Sequence, residues 1–243
     1  MSNAASINHA ALSFREFRTP GELYANLAHD VVRRLTASAA RNGRASLVVP
    51  GGTTPGPMFE ILAQHEAPWN DIDITLTDDR WIETTSDRSN EKLVRTRLLT
   101  ANAAAARFVP LKTAHAHARE AEKEIDTAVA AMHRPFDVIM LGMGTDGHIA
   151  SLIPGAAGLA RALDRGDPAL VRALDPVDLA TMGERMTLTL RAILDAQWVV
   201  FLIRGEEKLR AYKHALSGTD PLEAPARAVL HQRDVPVSVY WCA

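Results

Sequence analysis

Phe136-Asp137-Val138-Ile139-Met140-Leu141 runs directly into Gly142-Met143-Gly144-Thr145-Asp146-Gly147-His148, and this stretch decides the fold. Its first half is an apolar run typical of a buried strand, and its second half is a polar loop rich in glycine. In parallel α/β sheets, the loops at the carboxyl ends of the strands line the ligand crevice. The stretch therefore predicts a central strand of a parallel sheet that ends in a functional site.

Two residues of this loop, Asp146 and His148, are of the types that move protons. Their close spacing on a tight loop lets a carboxylate orient an imidazole for proton transfer. The glycines allow the backbone to approach a ligand, and successive amides can bind an anion. The alternative is a structural turn in which Asp146 caps the following helix and His148 is merely polar. The spacing alone does not decide between the two interpretations.

Apolar periodicity on both sides of this strand predicts that strands and helices alternate along the chain. Such alternation indicates an α/β fold with a mainly parallel sheet, wound right-handed, and helices on both faces. The alternating side chains of 72–77 predict a strand with one open face, and the weaker pattern of 156–185 predicts short helices and loops over the site. The predicted helices span about 22–40, 57–64, 90–99, 114–132 and 205–216, and the predicted strands 46–49, 72–77, 136–141, 198–203 and 237–241.

Composition limits the classes of protein to which the chain can belong. Of its 243 residues, 47% are hydrophobic, which suffices for a sizeable core in one large domain or two small ones. Because the sequence shows no internal repeat and no low-complexity linker, we expect a single domain over 11–243 after a disordered segment 1–10. The single cysteine, Cys242, allows no intrachain disulfide and no cysteine-based metal site. Without a leader or a membrane-spanning pattern, we expect a cytoplasmic protein. The net charge of -2, with interspersed signs, predicts neither nucleic acid nor membrane as a partner.

The segment Gly51-Gly52-Thr53-Thr54 follows another predicted strand. It offers backbone amides, two hydroxyl groups and a helix N-terminus, which together suit a phosphate group. It is not a Walker A loop, because no Lys-Ser/Thr pair follows at the required spacing. The alternative is an ordinary turn closed by Pro55 and Pro57.

A third polar segment, Asp78-Asp79-Arg80, follows the strand 72–77 and is predicted to be a loop. Arg80 can bind phosphate or polarise a carbonyl, while Asp78 can orient a sugar hydroxyl or help to position a base. A solvated charged turn is the alternative, and it is the more common fate of such triplets. Arg185 and Lys208 are further cations at the starts of predicted elements, although each by itself is typical of a protein surface.

Metal-assisted and covalent mechanisms find little support in the sequence. His115 and His117 are two residues apart on a predicted helix, so they do not share a face on which to bind a metal. No Gly-x-Ser-x-Gly elbow is present, and Cys242 has no histidine near it in sequence. Attack by water under base catalysis is the chemistry that remains.

Several blocks of the chain, taken together, point to one family. They are Gly51-Gly52-Thr53-Thr54-Pro55, Asp78-Asp79-Arg80-Trp81, Ser89-Asn90-Glu91, the stretch from Leu141 to Gly155, Arg185-Met186-Thr187-Leu188-Thr189 and Gly205 to Lys208. In residue type and in order, these blocks closely resemble 6-phosphogluconolactonase. The Asp-Gly-His motif with its flanks is the specific part of the resemblance.

This resemblance implies a Rossmann-like fold shared with glucosamine-6-phosphate deaminase and ribose-5-phosphate isomerase. It implies hydrolysis of 6-phosphogluconolactone to 6-phosphogluconate, the second step of the oxidative pentose phosphate pathway, with neither cofactor nor metal. The expected partner is accordingly a small sugar-phosphate lactone. The sequence leaves open whether the protein is a monomer or a dimer.

The resemblance also assigns roles to residues. His148 would be the general base that activates water against the lactone carbonyl and then returns the proton to the ring oxygen, with Asp146 and Asp78 orienting it or the substrate. Arg80 and Lys208, together with the Gly51 to Thr54 loop and Arg185 as a further contributor, would hold the phosphate and help to neutralise the developing oxyanion.

The chain departs from the family pattern at two positions. Asp79 stands where the family usually has glutamate, which leaves the role of that carboxylate open. Pro50 precedes the glycine pair where a small residue is more common.

Two rival functions remain to be weighed. Glucosamine-6-phosphate deaminase shares the Asp-Gly-His loop but continues it with Phe-Asn-Glu-Pro, where this chain has Ser151-Leu152-Ile153-Pro154. Ile153 cannot supply the carboxylate that isomerisation with ring opening needs, which favours the lactonase. A non-catalytic sugar-phosphate-sensing domain would be expected to carry a helix-turn-helix segment and a basic face, and the sequence shows neither.

Overall fold

The computed structural model describes residues 12–243, so the predicted disordered segment 1–10 lies outside the described residues. The single domain over 11–243 stays a prediction. The strands are β1 (Leu12–Phe17), β2 (Ala45–Val49), β3 (Ile72–Leu76), β4 (Asp78–Arg80), β5 (Arg107–Val109), β6 (Val138–Leu141), β7 (Val171–Leu174), β8 (Arg185–Leu188), β9 (Val199–Arg204) and β10 (Val237–Cys242). The helices are α1 (Pro20–Asn42), α2 (Gly56–Gln64), α3 (Asn90–Arg97), α4 (Ala118–Ala130), α5 (Leu159–Ala162), α6 (Leu179–Met182), α7 (Leu190–Leu194), α8 (Gly205–Ser217) and α9 (Ala226–Leu230).

The main sheet has seven parallel strands in the order β1-β10-β9-β6-β2-β3-β5. The strand β6 lies at its centre between β2 and β9, and all of its residues are buried. Helices flank this sheet, as the alternation of elements predicts, because strands that are apolar on both faces must be covered on both faces. The predicted α/β fold with a mainly parallel sheet is therefore confirmed.

A smaller antiparallel sheet, in the order β4-β8-β7, lies beside the main one. The prediction of a loop at Asp78-Asp79-Arg80 is wrong, because these residues form β4 and pair with Arg185 to Thr187 of β8. Pairing with β8 brings Arg80 opposite Arg185 in the register. The second sheet thus joins two cations that are far apart in sequence.

The predicted half-open strand at 72–77 is also wrong, because every residue of β3 is buried. Its polar side chains are covered by partners rather than by water. Asp73 binds Arg44 at 2.5 Å and Arg107 at 2.6 Å, and the hydroxyl of Thr75 donates to the carbonyl of Val109 at 2.7 Å. A buried polar group is stable when it is paired in this way, so alternation alone does not show that a face is open.

Apolar periodicity does not predict all of the strands and helices. The strand β7 and the helix α9 are short, and β1 lies at the sheet edge with most of its residues exposed. The helix predicted from residue 114 begins at Ala118, where the carboxylate of Glu120 accepts the backbone N–H of His117 at 3.2 Å. Among residues 12–243, none of the helices is both long and apolar enough to cross a membrane.

Candidate active site

A cavity of about 360 Å³ opens at the carboxyl ends of β2 and β6, where parallel α/β sheets bind their ligands. Residues from all three polar segments identified in the sequence line it. Asp146 is the one candidate residue that does not line the cavity, and it contacts a residue that does. The candidate residues in the lining are Gly51, Gly52, Thr53, Thr54, Asp78, Arg80, His148, Arg185 and Lys208.

Asp146 and His148 form a hydrogen-bonded pair at the end of β6. Nδ1 of His148 lies 2.6 Å from Oδ1 of Asp146, and the same oxygen accepts the backbone N–H of His148 at 3.1 Å. The hydrogen bond from His148 lowers the pKa of Asp146 to about 2. An ionised carboxylate at Nδ1 favours the imidazole tautomer that carries its proton there, so Nε2 is left as the basic nitrogen.

The interpretation of Asp146 as a helix cap is wrong. The residues after His148 form turns, and the next helix, α5, begins only at Leu159. Asp146 serves His148 instead of a helix N-terminus. The loop is therefore folded around the pair of side chains that can carry a proton.

Glycines make this loop possible. A Cβ atom on Gly144 would lie less than 3.0 Å from both Nδ1 of His148 and Oδ1 of Asp146, so no side chain fits there. Gly147 has a φ of +79°, and a Cβ atom on it would lie 2.7 Å from the Cβ of Ala224. These requirements explain why glycine occupies both positions.

Asp78 faces the cavity but does not touch the histidine. Its carboxylate accepts hydrogen bonds from Oγ of Ser151 at 2.5 Å and from Oγ1 of Thr77 at 3.0 Å. Among the described residues it makes no hydrogen bond to His148. Of the two aspartates expected to orient the base or the substrate, the structure thus brings Asp146 to His148 and Asp78 to the cavity.

Asp79 points away from the cavity and anchors the start of α3. Its carboxylate accepts the backbone N–H groups of Arg80 and Asn90 at 2.8 Å and of Glu91 at 2.9 Å. Burial raises the pKa of Asp79, and the N–H groups oppose that effect by favouring the charged form. Asp79, which stands where the family usually has glutamate, thus holds the backbone at the start of α3.

The half-buried Arg80 and the buried Arg185 line the cavity, and each has one unpaired donor. Nε of Arg80 and Nε of Arg185 are buried without a partner among the described residues. Burial, followed by the positive charge of Arg80, lowers the pKa of Arg185. Unpaired buried donors and neighbouring like charges destabilise a protein unless an anion accepts the hydrogen bonds and balances the charge. This wall of the cavity therefore suits an anionic ligand. Lys208, in the first turn of α8, adds a third cation to the lining.

Several lining residues have no assigned role in the sequence analysis. Asn90 is the most polar of them, and it lies only 3% exposed at the start of α3. Its signal is the Ser89-Asn90-Glu91 block, which indicates a helix cap but not a cavity position. Met182 and Ile153 supply apolar surface from segments without strong periodicity, and the remaining residues are Pro50, Thr77, Gly142, Met143, Gly144 and Ala150.

The fold and the cavity together define an α/β protein with a cation-rich site and a histidine–carboxylate pair at the carboxyl edge of its sheet. The family model described as glucosamine-6-phosphate isomerases/6-phosphogluconolactonase matches residues 18–241. The chain belongs to this family.

Individual relatives show which members of the family the chain resembles. The chain is 40% identical to a 6-phosphogluconolactonase of Rhizobium meliloti strain 1021, over 93% of this chain and 96% of the relative. It is also 40% identical to a 6-phosphogluconolactonase of Mesorhizobium japonicum, over 97% of both. The crystal structure of a 6-phosphogluconolactonase from Shewanella baltica OS155 superposes with a TM-score of 0.92 at 39% identity, covering 96% of this chain and 98% of that one. The resemblance found in the sequence is thereby confirmed.

Proposed function

We propose that the protein is an enzyme that hydrolyses 6-phospho-D-glucono-1,5-lactone to 6-phospho-D-gluconate in the oxidative pentose phosphate pathway, in the cytoplasm. The observation that carries this proposal is the Asp146–His148 pair in the same cavity region as the buried, unpaired donors of Arg80 and Arg185. A base beside an anion-binding wall suits a phosphorylated ester. The names of the relatives support the same substrate.

His148 acts as the general base in this mechanism. Nε2 takes a proton from a water molecule as the water oxygen forms a bond to the lactone carbonyl carbon. When the tetrahedral intermediate collapses, the bond from that carbon to the ring oxygen breaks, and the imidazolium returns the proton to the ring oxygen. Asp146, with its lowered pKa, remains ionised and stabilises the imidazolium between these two steps.

The phosphate group is held away from the reacting carbonyl. The Gly51 to Thr54 loop offers amides and hydroxyls, and Arg80, Arg185 and Lys208 offer positive charge. Binding energy at the remote phosphate then positions the carbonyl against the base. Asp78, whose carboxylate is fixed by two hydroxyl groups, accepts a hydroxyl of the sugar.

The lining does not favour the deaminase alternative. Ile153 reaches the cavity at the position where the deaminase motif has glutamate, and a hydrocarbon side chain cannot transfer a proton.

The test is the initial rate of hydrolysis of freshly generated 6-phosphoglucono-1,5-lactone, compared with the uncatalysed blank. We expect fast turnover by the wild type and a loss of at least about a hundredfold in His148→Ala, the usual size of a general-base effect. His29→Ala, which removes an exposed histidine of α1, is the matched control and should retain full activity. A wild-type rate equal to the blank would refute the proposed reaction, and normal turnover in His148→Ala would remove that residue from the mechanism.

A further inference from the structure

Asn90 connects the start of α3 to the strand β4. Its side-chain amide donates to the carbonyl oxygen of Asp78 at 2.8 Å, and its Oδ1 accepts Nη1 of Arg80 at 2.9 Å. Its backbone N–H is bound by Asp79 at 2.8 Å. With both ends of its amide and its backbone N–H engaged, Asn90 has a fixed orientation.

The same side chain packs against the Gly51 loop. A Cβ atom on Gly51 would lie less than 3.0 Å from Oδ1, Cγ and Nδ2 of Asn90. The loop can therefore approach Asn90 this closely only because position 51 has no side chain. The Gly51 loop and Arg80 become neighbours through Asn90.

The chemistry of an amide matters at this position. Its oxygen accepts one N–H of Arg80 without neutralising the guanidinium charge, whereas a carboxylate would form an ion pair. Nη1 of Arg80 is occupied by Asn90 and by the carbonyl of Arg88 at 2.7 Å. Nη2 donates to no partner among the described residues, so the guanidinium keeps N–H groups for a ligand.

We infer that Asn90 is a positioning residue that holds Arg80 and the Gly51 loop as one anion-binding unit while leaving the arginine its full charge. This inference rests on the proposed function, since the anion is the phosphate of the lactone. Asn90 acts through Arg80 and the loop, and it sets the preference for a phosphorylated substrate over an unphosphorylated one.

The test is Asn90→Asp, which keeps the size and shape of the side chain and adds a negative charge beside Arg80. We expect KM for 6-phosphogluconolactone to rise about tenfold or more, because the carboxylate pairs with Arg80 and repels the phosphate, while kcat changes little. For unphosphorylated glucono-1,5-lactone, kcat/KM should change less than about threefold. A merely structural role would lower activity on both substrates alike.

Asn102→Asp is the matched control. Asn102 also donates from its amide to a backbone carbonyl, that of Gln64 at 2.8 Å, but it is exposed and does not line the cavity. Asn102→Asp makes the same chemical change as Asn90→Asp, from an amide to a carboxylate. We expect unaltered kinetics on both lactones.

A second variant serves if Asn90→Asp does not fold. Asn90→Ala removes the acceptor of Arg80 and should raise KM for the phosphorylated lactone several-fold in the wild-type background. In an Arg80→Ala background the same change should have a smaller effect, because residues that act through one another are not additive. Full additivity of the two substitutions would overturn the inference.

Binding of 6-phosphogluconate and of inorganic phosphate, measured by calorimetry, separates the two proposals. If the wild type binds 6-phosphogluconate but does not hydrolyse the lactone, the proposed reaction fails, and weaker binding by Asn90→Asp still supports the role of Asn90. If Asn90→Asp binds 6-phosphogluconate as tightly as the wild type, the inference fails although the lactonase stands. A wild type that neither binds nor hydrolyses would overturn both.

Discussion

Gly144 lies against His148 so closely that the imidazole occupies the space of a missing side chain. A Cβ atom at position 144 would lie less than 3.0 Å from Nδ1 and Cε1 of His148 and from Oδ1 of Asp146. The imidazole of His148 and the carboxylate of Asp146 are thus packed onto bare backbone. The absence of a side chain at Gly144 is part of the geometry that orients the imidazole.

Gly144→Ala should therefore disable the enzyme without unfolding it. The added methyl group must displace the imidazole, and a misplaced base loses about a hundredfold or more in rate. Gly142→Ala is the comparison, because a Cβ atom at position 142 meets nothing within 4 Å. We expect Gly142→Ala to lose far less activity, measured as kcat/KM on the phosphorylated lactone. Similar losses in both variants would contradict a specific contact between Gly144 and the pair.

Asp146→Asn tests the other contact of the base. An amide at position 146 no longer stabilises the imidazolium and can present its N–H₂ group to Nδ1, which favours the wrong tautomer. We expect kcat to fall by about tenfold to a hundredfold, with KM nearly unchanged, because the carboxylate acts on the proton transfer and not on the phosphate. Steady-state kinetics on the lactone decides this, and a variant with altered KM and normal kcat would place Asp146 in substrate binding instead.

The sequence predicts five of the seven strands of the main sheet and the polar segments that line the cavity, because both depend on strong local signals. Apolar runs identify β6 and β9, and the glycine-rich loop after β6 shows where the sheet ends in polar residues. The second sheet is not predictable in this way. Its strands are three or four residues long, and Asp78-Asp79-Arg80 becomes a strand only through pairing with Arg185 to Thr187 of β8.

The sequence also does not predict the roles of residues that depend on tertiary contacts. Asp78 and Asp79 are adjacent and chemically alike, yet one faces the cavity and the other holds the start of α3. Asn90 lies in a sequence that is typical of a helix start. Its side-chain amide, however, contacts Asp78 and Arg80 of β4, which lie 12 and 10 residues earlier in the chain. Residue type indicates what a side chain can do, but only the packing of the elements decides which group it meets.

Asp79→Asn should destabilise the fold more than it changes the chemistry. The carboxylate accepts two buried N–H groups at the start of α3 and the N–H of Arg80 in β4, and an amide oxygen replaces only one of its two acceptor atoms. Leaving buried N–H groups unpaired costs about 1–3 kcal/mol each. We expect a drop of this order in the free energy of unfolding, measured by urea titration. Asp87→Asn, which changes an aspartate whose side chain is 96% exposed, should alter it little.

Arg88 ties the segment that carries Met182 to the rest of the site. Its guanidinium donates to the carbonyl oxygens of Thr181 at 3.1 Å and Met182 at 3.4 Å, at the C-terminus of α6. No residue of α6 is buried, so polar contacts contribute much of what holds this helix. Arg88→Ala should therefore speed hydrogen exchange of the amides around Met182.

The control for this prediction is Arg97→Ala, which removes another exposed arginine and its ion pair with Glu60. It should leave exchange in α6 unchanged. We also expect Arg88→Ala to raise KM for the lactone by a few fold, since Met182 lines the cavity. Exchange rates in α6 equal to those of the wild type would show that Arg88 does not hold the segment.

Asp167 makes the stability of the protein depend on pH. Its carboxylate binds the guanidinium of Arg172 at 2.5 Å and that of Arg161 at 2.9 Å, just before β7. The hydrogen bonds from Arg172 are the main reason that the pKa of Asp167 falls to about 2 in the folded protein. Because this value lies below that of the unfolded chain, the folded state loses stability when the carboxylate is protonated.

The stabilisation from Asp167 should be complete above about pH 5 and should decline as the pH falls toward about 2. Asp167→Asn cannot ionise, so its deficit in unfolding free energy should be largest near neutral pH and shrink on acidification. Urea titrations of both proteins between about pH 3 and pH 7 measure this difference. Asp71→Asn, at an exposed aspartate outside the ion pairs of the described residues, is the control. A deficit in Asp167→Asn that stays constant down to pH 3 would mean that its interaction with Arg172 does not depend on charge.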